Sequence, residues 1–571
     1  MAPLMSAGAT PPLGSLCLVL HGHLPYVLHH GSYPHGEAWL YEAAAETYLP
    51  LLDVIGEVAL HRVRPGLTIG LTPVLLEQLS HEHFKAGFVA YLNERIDRAR
   101  QDRRGFEQKN ETHFAELATR WEETYARALA SFERIGRDLP GQFASRAREG
   151  HVQVLTSNAT HAYMPLLLND QSIRAQMACG VATTEKHLGL KPRGTWLPEC
   201  AYRPTWEHWR PAVLYDDPRH RQGLEHFISA AGVDHFFVDT HLITDAQPLG
   251  VFEGGTLLPV NEPQLHWDQK RGWRSPLEPV GVASRPEAPK CFAFSRHPRV
   301  SEQVWSGLIG YPGSGEYLEF HRKHGEAGLR YHRVTDIRAA LHQKEPYAPL
   351  DVPGKLYEHS THFCGVVRDV LREHQARTGR PGVCVAPFDA ELFGHWWYEG
   401  PQFLRDVIYT LSHDRTVALV TAQEALERHP PEMVVRMPEG SWGKHGDHSV
   451  WMNEQNRWMW EMEYRAENRM LKLLHELPWR TNAGVQSMME RAGRELFLLQ
   501  ASDWPFVIES KGAVDYGIQR FAGHCTRFDR VTRIAETLAG GGEIGEIERV
   551  QVAEADLHDD VFREIDLEWW K

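Results

Sequence analysis

Apolar runs that end abruptly in polar, Gly or Pro clusters recur along the chain. Eight segments have this form: SLCLVLHGH, GLTIGLTP, HVQVLTSNATH, RGTWLPE, DHFFVDTH, KCFAFSRH, VCVAPFDAE and TVALVTA. Longer segments with helical character separate them. Buried parallel strands alternate with helices in this way, so the pattern predicts a β/α architecture.

A charged, helix-rich stretch at residues 81–147 interrupts this rhythm. Its apolar residues recur at steps of three and four and form one helical face: Phe114, Leu117, Trp121, Tyr125, Leu129, Phe132, Ile135 and Leu139. We predict an inserted helical subdomain here, within a barrel domain that spans residues 14–430.

Helical periodicity returns after about residue 455, in NRWMWEMEYRAENRMLKLLHEL and MMERAGRELFLLQ. This pattern predicts a C-terminal helical domain over residues 431–540. Residues 541–571 begin with glycines and are acidic, which leaves two alternatives open, a docked arm or a partly disordered tail.

Charge and composition narrow the class of protein. The 571 residues carry a formal charge of −14, which argues against nucleic acid as a partner because phosphate binding needs clustered Lys and Arg. No apolar stretch of membrane-spanning length occurs, and the first residues lack the features of a secretory signal. We therefore expect a cytoplasmic globular protein without a membrane partner.

The cysteine, tryptophan and histidine residues indicate which cross-links and which kind of ligand to expect. The seven cysteines are scattered without a CxxC pair, so neither a disulfide framework nor a zinc ribbon is predicted. Many of the 18 Trp and 34 His stand beside Gly, Pro and acidic residues rather than in apolar periodic runs. Aromatic faces and neutral hydrogen-bonding groups suit a polyhydroxylated ligand.

Polar residues follow the predicted strands directly. In β/α barrels catalytic groups lie at this end of the strands, so these side chains are candidates for one shared mouth. Each of them can instead be an ordinary polar loop start. The candidates are His21, His23, His161, Glu199, Asp239, His241, Arg296 and Asp389.

The first strand ends in HGHLPY, where His21 and His23 stand two positions apart and point the same way. Such a pair binds a metal or grips sugar hydroxyls. Asp239 or His241 could complete a metal site, but no HExxH motif or compact ligand cluster supports one. We favour sugar binding and predict neither a metal nor a cofactor.

Glu199 and Asp389 are the two acids that directly follow strand-like runs in aromatic settings, TWLPECAY and APFDAELFGHWW. A retaining glycosidase needs two carboxyl groups roughly 5 Å apart, one as nucleophile and one as acid and then base. The nearby Trp196, Trp396 and Trp397 favour this interpretation, because apolar walls raise the pKa of an acid. The alternative for Asp389 is a helix N-cap.

Five ordered motifs extend over nearly the whole length of the chain: HGHLPY, VQVLTSNATHAYMPLL, TWLPECAYRP, FDAELFGHWWYEGP and WMNEQNRWMWEMEYRAEN. In these motifs the chain resembles glycoside hydrolase family 57. Four further stretches look like the family's 1,4-α-glucan branching enzymes: FFVDTH, QVWSGLIGYPG, SWG…HSVW and ASDWPF.

The resemblance implies a (β/α)7 barrel, a distorted relative of the TIM barrel, with a helical insertion and a C-terminal helical domain. One of the eight strand-like runs then lies outside the barrel. Glu199 matches the family's nucleophile and Asp389 its acid/base. Among the substrate-binding candidates, His21, His23 and His161 match the family's substrate-gripping histidines, and Asp503 matches an acid at the donor subsite. The strand-end Arg296 is a further candidate. Four tryptophans fall where aromatic residues line the glucan groove: Trp39, Trp305, Trp442 and Trp451. Each Trp can equally be a core residue.

The sequence departs from the branching-enzyme pattern in two places. Residues 242–290 contain no Tyr, although the resemblance implies one in a loop there, and Trp267, Trp273 and His266 are the bulky aromatic candidates. SWGKHGDHSVW also places Lys444, His445 and Asp447 where relatives have acidic or small residues. Both departures bear on transfer and not on the catalytic pair.

Three functions are therefore in view. The leading one is cleavage of α-1,4 bonds in amylose, glycogen or a starch-like glucan, with transfer to a 6-OH that makes an α-1,6 branch. The runner-up is an α-amylase-type hydrolase or 4-α-glucanotransferase on the same residues. The third is a barrel that binds glucan without turnover.

Overall fold

The computed structural model describes residues 12–215, 217–253, 255–259, 275–325 and 328–571. Seven parallel strands in these ranges form a closed ring. They are β1 Gly14–Gly22, β2 Leu67–Leu71, β3 Val152–Leu155, β4 Gly194–Thr195, β5 His235–Val238, β6 Cys291–Ser295 and β7 Gly382–Asp389.

Backbone pairing closes the ring. Parallel ladders join β7 to β1, β1 to β2, β2 to β3, β4 to β5 and β5 to β6. Two parallel bridges supply the remaining contacts, Thr156 with Thr195 between β3 and β4, and Arg296 with Val385 between β6 and β7. The expected (β/α)7 barrel is confirmed. Of the eight strand-like runs, Val417–Leu419 is the one outside the ring, since it pairs only with the start of β1.

The ring strands are buried on both faces, as continuous apolar runs require. Every residue of β1, β2 and β5 is buried, and so is every residue of β7 before its last. Helices and helical turns separate the ring strands along the chain: Glu37–Ala43, Ala44–Tyr48, Leu49–Leu60, Pro73–Ser80, Leu139–Arg148, Met164–Leu166, Asp170–Leu188, Pro198–Cys200, Leu224–Ala230, Thr240–Thr244, Pro298–Trp305, Tyr311–Gly313, Leu341–Gln343 and Val352–Thr378, with Ala390–Leu392, Gly400–Ser412 and Ala422–Arg428 after the last of them.

Shorter strands extend the architecture beyond the ring. Val280–Val282 pairs antiparallel with β6 and continues the sheet through Met433–Arg436, Gln247–Glu253 and Thr256–Pro259. Trp206–Trp209 pairs with Arg219–Arg221, and Lys323–His324 pairs with Leu329–Arg330.

The predicted insertion contains the long helices Glu82–Gln108 and Thr112–Arg134, which pack against each other. The second helix buries its predicted face, with Leu117, Trp121, Tyr125 and Phe132 inside. Apolar periodicity therefore located this helix. The division of the chain into domains stays a prediction.

Helices continue through the C-terminal part: Arg457–Glu476, Ala483–Leu499, Asp503–Glu509, Val514–Ala539, Glu546–His558 and the turn Leu567–Trp570. The acidic tail is docked, because Asp559 is fully buried and the Trp570 ring stacks on Phe497 at 4.8 Å between centroids. All seven cysteines are buried and free. No helix in the described ranges combines the length and the apolar character that crossing a bilayer requires.

Candidate active site

Glu199 lies in the one-turn helix Pro198–Cys200, directly after β4. Its backbone is left-handed, with φ 60° and ψ 24°, a conformation that is costly for a residue with a side chain. Trp442 holds it from across the site: its backbone N–H donates to the Glu199 carbonyl at 3.0 Å, and its indole Nε1 donates to Glu199 Oε2 at 2.8 Å. These two hydrogen bonds from Trp442 therefore hold Glu199 in its strained backbone conformation.

The surroundings of Glu199 set its protonation. Burial raises the pKa of the carboxyl to about 7, and the negative charge of Asp503 adds to the increase. The hydrogen bond from Trp442 and the charge of His23 act in the opposite direction. Glu199 therefore titrates near neutral pH, with the indole favouring the ionised form.

Asp389 is the last residue of β7 and stands in register with His21 of β1. Burial raises the pKa of Asp389 well above its usual range, and the charges of Glu391 and Glu199 raise it further. The N-cap alternative is not realised, because the Asp389 side chain makes no capping hydrogen bond to the turn that follows. Both candidate carboxyl groups are therefore buried with raised pKa values, and the charge on Glu199 favours a proton on Asp389.

The three predicted histidines lie together beside Glu199. His21 Nε2 and His161 Nε2 are 3.1 Å apart, and the His23 and His161 rings stack at 3.9 Å between centroids. His161 Nδ1 is 4.0 Å from Glu199 Oε1. Trp196 stacks on His21 at 4.6 Å and closes the apolar side of the group.

Burial decides what these imidazoles can do. It lowers the pKa of both His21 and His161 well below the usual range, and neighbouring imidazoles lower it further. Both rings are therefore neutral and act as hydrogen-bonding groups rather than charges. His21 Nδ1 is buried without a hydrogen-bond partner among the described residues.

Asp503 enters this group from the C-terminal helices. Its two carboxylate oxygens lie 3.1 and 3.0 Å from His23 Nε2, while His23 Nδ1 lies 3.0 Å from Thr72 Oγ1. Ser502, the preceding residue, contacts His161 Nδ1 through its hydroxyl at 2.9 Å. The C-terminal helices therefore complete a pocket that begins at the barrel strand ends.

The metal partners considered from the sequence do not join the histidines. Asp239 instead receives two hydrogen bonds of 2.7 Å from Arg296, and His241 Nε2 contacts the Gly446 carbonyl at 3.1 Å. His23, His161 and Asp503 do present ligand atoms within 4.8 Å of one another. The absence of a metal from the active site stays a prediction.

Arg296, Trp305 and Trp442 form a connected wall of the site. The Arg296 guanidinium lies 5.7 Å from the centre of the Trp442 ring, and Trp305 meets Trp442 edge-on at 6.0 Å. The charges of Arg296, Asp239, Glu199 and Asp389 all act on the thiol of Cys200, so they surround one mouth. The strand-end residues thus converge here.

Two predicted tryptophans pack against other aromatic side chains. Trp39 is half-buried and packs against Tyr516 of the C-terminal helices at 5.4 Å. Trp451 is only 1% exposed and stacks on Tyr163 at 4.5 Å. Trp451 is therefore buried in the core, the alternative that the sequence left open, and a place for it along a glucan groove stays a prediction.

Glu391 is a site residue that sequence reasoning missed. It accepts hydrogen bonds from the His23 backbone N–H at 3.1 Å and from the Tyr48 hydroxyl. Its position two residues after Asp389, in FDAEL, was the available signal.

The structure describes one of the two departures from the branching-enzyme pattern, the segment with Lys444, His445 and Asp447. Lys444 and His445 lie in a turn with His445 at φ 71°, and Asp447 follows and accepts from Ser449. The loop candidates His266, Trp267 and Trp273 lie outside the described residues.

A parallel barrel with two carboxyl groups among histidines and tryptophans at its strand ends has the form of a carbohydrate-active enzyme. The family model of glycosyl hydrolase family 57 matches residues 17–324, more than half of the chain. The chain belongs to this family. A second model, described as the C-terminal region of 1,4-alpha-glucan branching enzyme, matches residues 463–570.

Individual relatives and solved structures are similar to this chain over nearly its whole length. A 1,4-alpha-glucan branching enzyme of Thermococcus kodakarensis is 37% identical over 554 residues, which are 97% of this chain and 78% of that protein. The crystal structure of a family 57 branching enzyme from Pyrococcus horikoshii superposes with a TM-score of 0.87 at 34% identity, covering 98% of this chain and 97% of that one. The alpha-amylase AmyC from Thermotoga maritima superposes with a TM-score of 0.79 at 28% identity, covering 98% and 99%.

Proposed function

We propose that this protein is a retaining 1,4-α-glucan branching enzyme. The observation that carries the proposal is the carboxyl pair, in which the pKa of Asp389 lies well above its usual range and that of Glu199 at about 7. The charge of Glu199 raises the pKa of Asp389, so an ionised Glu199 favours a protonated Asp389, which are the states that a nucleophile and an acid require. The match of residues 463–570 to the branching-enzyme C-terminal model supports the transferase assignment.

The first half-reaction uses both carboxyl groups. The Glu199 carboxylate attacks the anomeric carbon of an α-1,4-linked glucose, and the proton of Asp389 passes to the departing 4-oxygen as the glycosidic bond breaks. The products are a covalent glucosyl ester on Glu199, a shortened glucan with a free 4-OH, and an ionised Asp389.

The second half-reaction reverses these roles. Asp389 takes the proton from a glucan 6-OH, whose oxygen attacks the anomeric carbon and releases Glu199. Two inversions retain the α configuration and give an α-1,6 branch. If water replaces the 6-OH, the same step is hydrolysis, so the outcome depends on how well the site holds an acceptor and excludes water.

The remaining side chains suit a neutral, hydroxyl-rich ligand. His21 and His161 are uncharged at neutral pH, while Trp305 and Trp442 offer aromatic surface beside Glu199. We infer an α-1,4-glucan such as amylose, glycogen or a starch-like polysaccharide as the substrate, with no nucleic-acid or membrane partner. A cytoplasmic location belongs to the same proposal.

A hydrolase is the second candidate. The similarity to the alpha-amylase AmyC favours it, as does the lack of Tyr in residues 242–290. A 4-α-glucanotransferase would use the same carboxyl pair. A barrel without turnover is the least favoured, because two buried carboxyl groups with raised pKa values have no function in it.

One incubation separates these candidates. Amylose is treated with the protein while reducing ends, the iodine spectrum and α-1,6 linkages are followed. Branching gives new α-1,6 linkages and loss of iodine colour with few new reducing ends. Reducing ends that rise in step with iodine loss would replace the proposal by hydrolysis, and unchanged amylose with retained binding would replace it by a binding protein.

A further inference from the structure

A second group of histidines lies outside the active-site pocket. It joins three chain segments: the loop that follows β1, which carries His29, the start of helix Glu37–Ala43, and the start of helix Glu82–Gln108, which carries His83. His29, Glu37 and His83 each present one ligand atom, and the three atoms lie within 4.8 Å of one another.

The contacts within this group are close. His83 Nε2 lies 2.8 Å from Glu37 Oε1, and the His29 and His83 rings are 4.0 Å apart between centroids. The His29 backbone is left-handed, with φ 63°, and its N–H donates to Glu37 Oε1 at 2.8 Å. A strained backbone therefore holds one imidazole against another, with a carboxylate at their edge.

Neighbouring residues orient these three side chains. The Tyr41 hydroxyl donates to Glu37 Oε2 at 3.1 Å, and His558 Nδ1 lies 3.2 Å from the His29 carbonyl. His81 caps the helix by accepting from the His83 backbone N–H, while its Nε2 contacts Asp560 at 3.0 Å. Outer contacts of this kind hold metal ligands in place.

We propose that His29, Glu37 and His83 form a binding site for a divalent transition-metal ion such as zinc. Two imidazoles and one carboxylate are a donor set that zinc accepts, with a water in the fourth position. Bonds of about 2.1 Å in tetrahedral geometry require ligand atoms roughly 3.4 Å apart. All three side chains are partly exposed, so small rotations bring them to that spacing and solvent reaches the open position.

Two other groups with metal-ligand spacing are weaker candidates. His23, His161 and Asp503 belong to the active-site pocket already described. The buried group of Glu495, His524 and Asp559 already holds a cation, the Arg527 guanidinium, 2.6 Å from Asp559. Among the described residues no Lys or Arg pairs with Glu37, and the proposed site is independent of the proposed reaction.

The bound ion would have a structural consequence. It would tie the loop after β1 to the inserted helix, and the same loop carries His35, whose ring lies 5.3 Å from Trp39. Metal binding that occurs only in the folded protein stabilises it. Zinc is therefore expected to raise the thermal midpoint of the full-length chain.

The test is zinc binding to the chelator-treated, full-length protein by calorimetry. The wild type is expected to bind one equivalent of zinc at this site, with affinity falling more than about tenfold in both Glu37→Gln and His83→Gln. His29→Asn is a third variant that tolerates the left-handed backbone, and it should weaken binding equally. Thermal midpoints without zinc identify any variant that fails to fold.

Two controls separate this site from the others. His475→Gln removes an exposed histidine elsewhere and should bind zinc like the wild type. Asp503→Asn removes the carboxylate of the active-site group and should also leave this affinity unchanged. The proposal is overturned if the wild type binds no stoichiometric zinc, if Glu37→Gln and His83→Gln bind like the wild type, or if only Asp503→Asn loses binding.

Discussion

The indole Nε1 of Trp442 donates a 2.8 Å hydrogen bond to Oε2 of Glu199, across 243 chain positions. The donor belongs to the segment that follows strand Met433–Arg436, and the acceptor to the turn after β4. A hydrogen bond to the charged form of an acid favours ionisation. One tryptophan therefore both walls the site and keeps the proposed nucleophile available as a carboxylate.

Trp442→Phe keeps an aromatic ring and removes this donor. Loss of the hydrogen bond raises the pKa of Glu199 above its value of about 7. Since the nucleophile works as a carboxylate, the acidic limb of the profile of kcat/KM against pH should move to higher pH. A hydrogen bond to a charged group contributes about 1.5–3 kcal/mol, which corresponds to roughly one to two pH units.

Trp305→Phe is the matched control for this measurement. Trp305 touches the same wall, but its Nε1 points to the Pro387 carbonyl at 3.5 Å and not to a carboxyl group. Its replacement can weaken substrate binding, yet the acidic limb should stay in place. Equal limb positions in Trp442→Phe and the wild type would contradict the assigned role of the indole.

The roles of the two carboxyl groups can be separated with an aryl α-maltoside that has a good leaving group. Glu199→Gln should be inactive on this compound and on amylose, because no nucleophile remains. Asp389→Asn should lose activity on amylose but still release the aryl group, since a good leaving group does not need a proton from an acid. A covalent intermediate should then accumulate, detectable as a mass increase on the peptide that contains Glu199. The opposite pattern in the two variants would exchange their roles.

Features that depend on the local sequence pattern were predictable, whereas features that depend on contacts between distant residues were not. The ring strands and the residues at their ends were predictable, because a buried parallel strand leaves a continuous apolar run that stops at the active edge. Val417–Leu419 has the same local pattern but pairs only with Gly14–Leu16, and pairing partners leave no mark in a single run. The sequence pattern alone therefore did not show that this strand lies outside the ring, and the resemblance to a known family was needed to expect seven strands rather than eight.

Side-chain environments were less predictable than strands. Glu391 obtains its position from Tyr48 and from the His23 backbone, 343 and 368 positions away. Trp451 is covered by Tyr163, and nothing in its neighbouring residues distinguishes it from Trp442, which reaches Glu199. Such differences arise only when remote segments pack together.

Glu391→Gln tests the influence of this third carboxyl group on Asp389. The charge of Glu391 raises the pKa of Asp389, which must be protonated to act as the acid. Removing the charge lowers that pKa, so the basic limb of the kcat/KM profile should move to lower pH, by on the order of one unit. Unfolding midpoints of the variant and the wild type establish that the fold is kept.

Glu399→Gln is a close control. Glu399 is also buried and accepts hydrogen bonds from a tyrosine hydroxyl, that of Tyr347, and from a backbone N–H, that of Leu318. Its charge is not among the influences on Asp389. A basic limb that moves equally in both variants would mean that general destabilisation, and not the charge beside Asp389, causes the shift.

The docked C-terminal arm depends on Asp559, and Asp559→Asn should loosen it. This side chain is fully buried, with His30 Nε2 at 2.8 Å and Arg527 Nε at 2.6 Å. Burial alone would raise the pKa of Asp559, but the charges of His524 and Arg527 and the hydrogen bond from His30 outweigh it and hold the pKa well below the usual range. A depressed pKa in the folded state means stability that is present above the unfolded value of about 3.9 and lost as the pH falls below it.

We therefore expect Asp559→Asn to lower the free energy of unfolding by about 3 kcal/mol at pH 7, because Arg527 loses its 2.6 Å buried partner and keeps only Glu495, at 3.2 Å. Denaturant unfolding at pH 7, 5 and 3 checks this, and the gap to the wild type should narrow at pH 3, because Asp559 takes up a proton in the unfolded chain while it stays ionised in the folded protein. Glu554→Gln, an exposed acid in the same arm, should change the free energy by less than about 0.5 kcal/mol. A gap that stays constant from pH 7 to pH 3 would mean that lost packing, and not the buried charge, accounts for the effect.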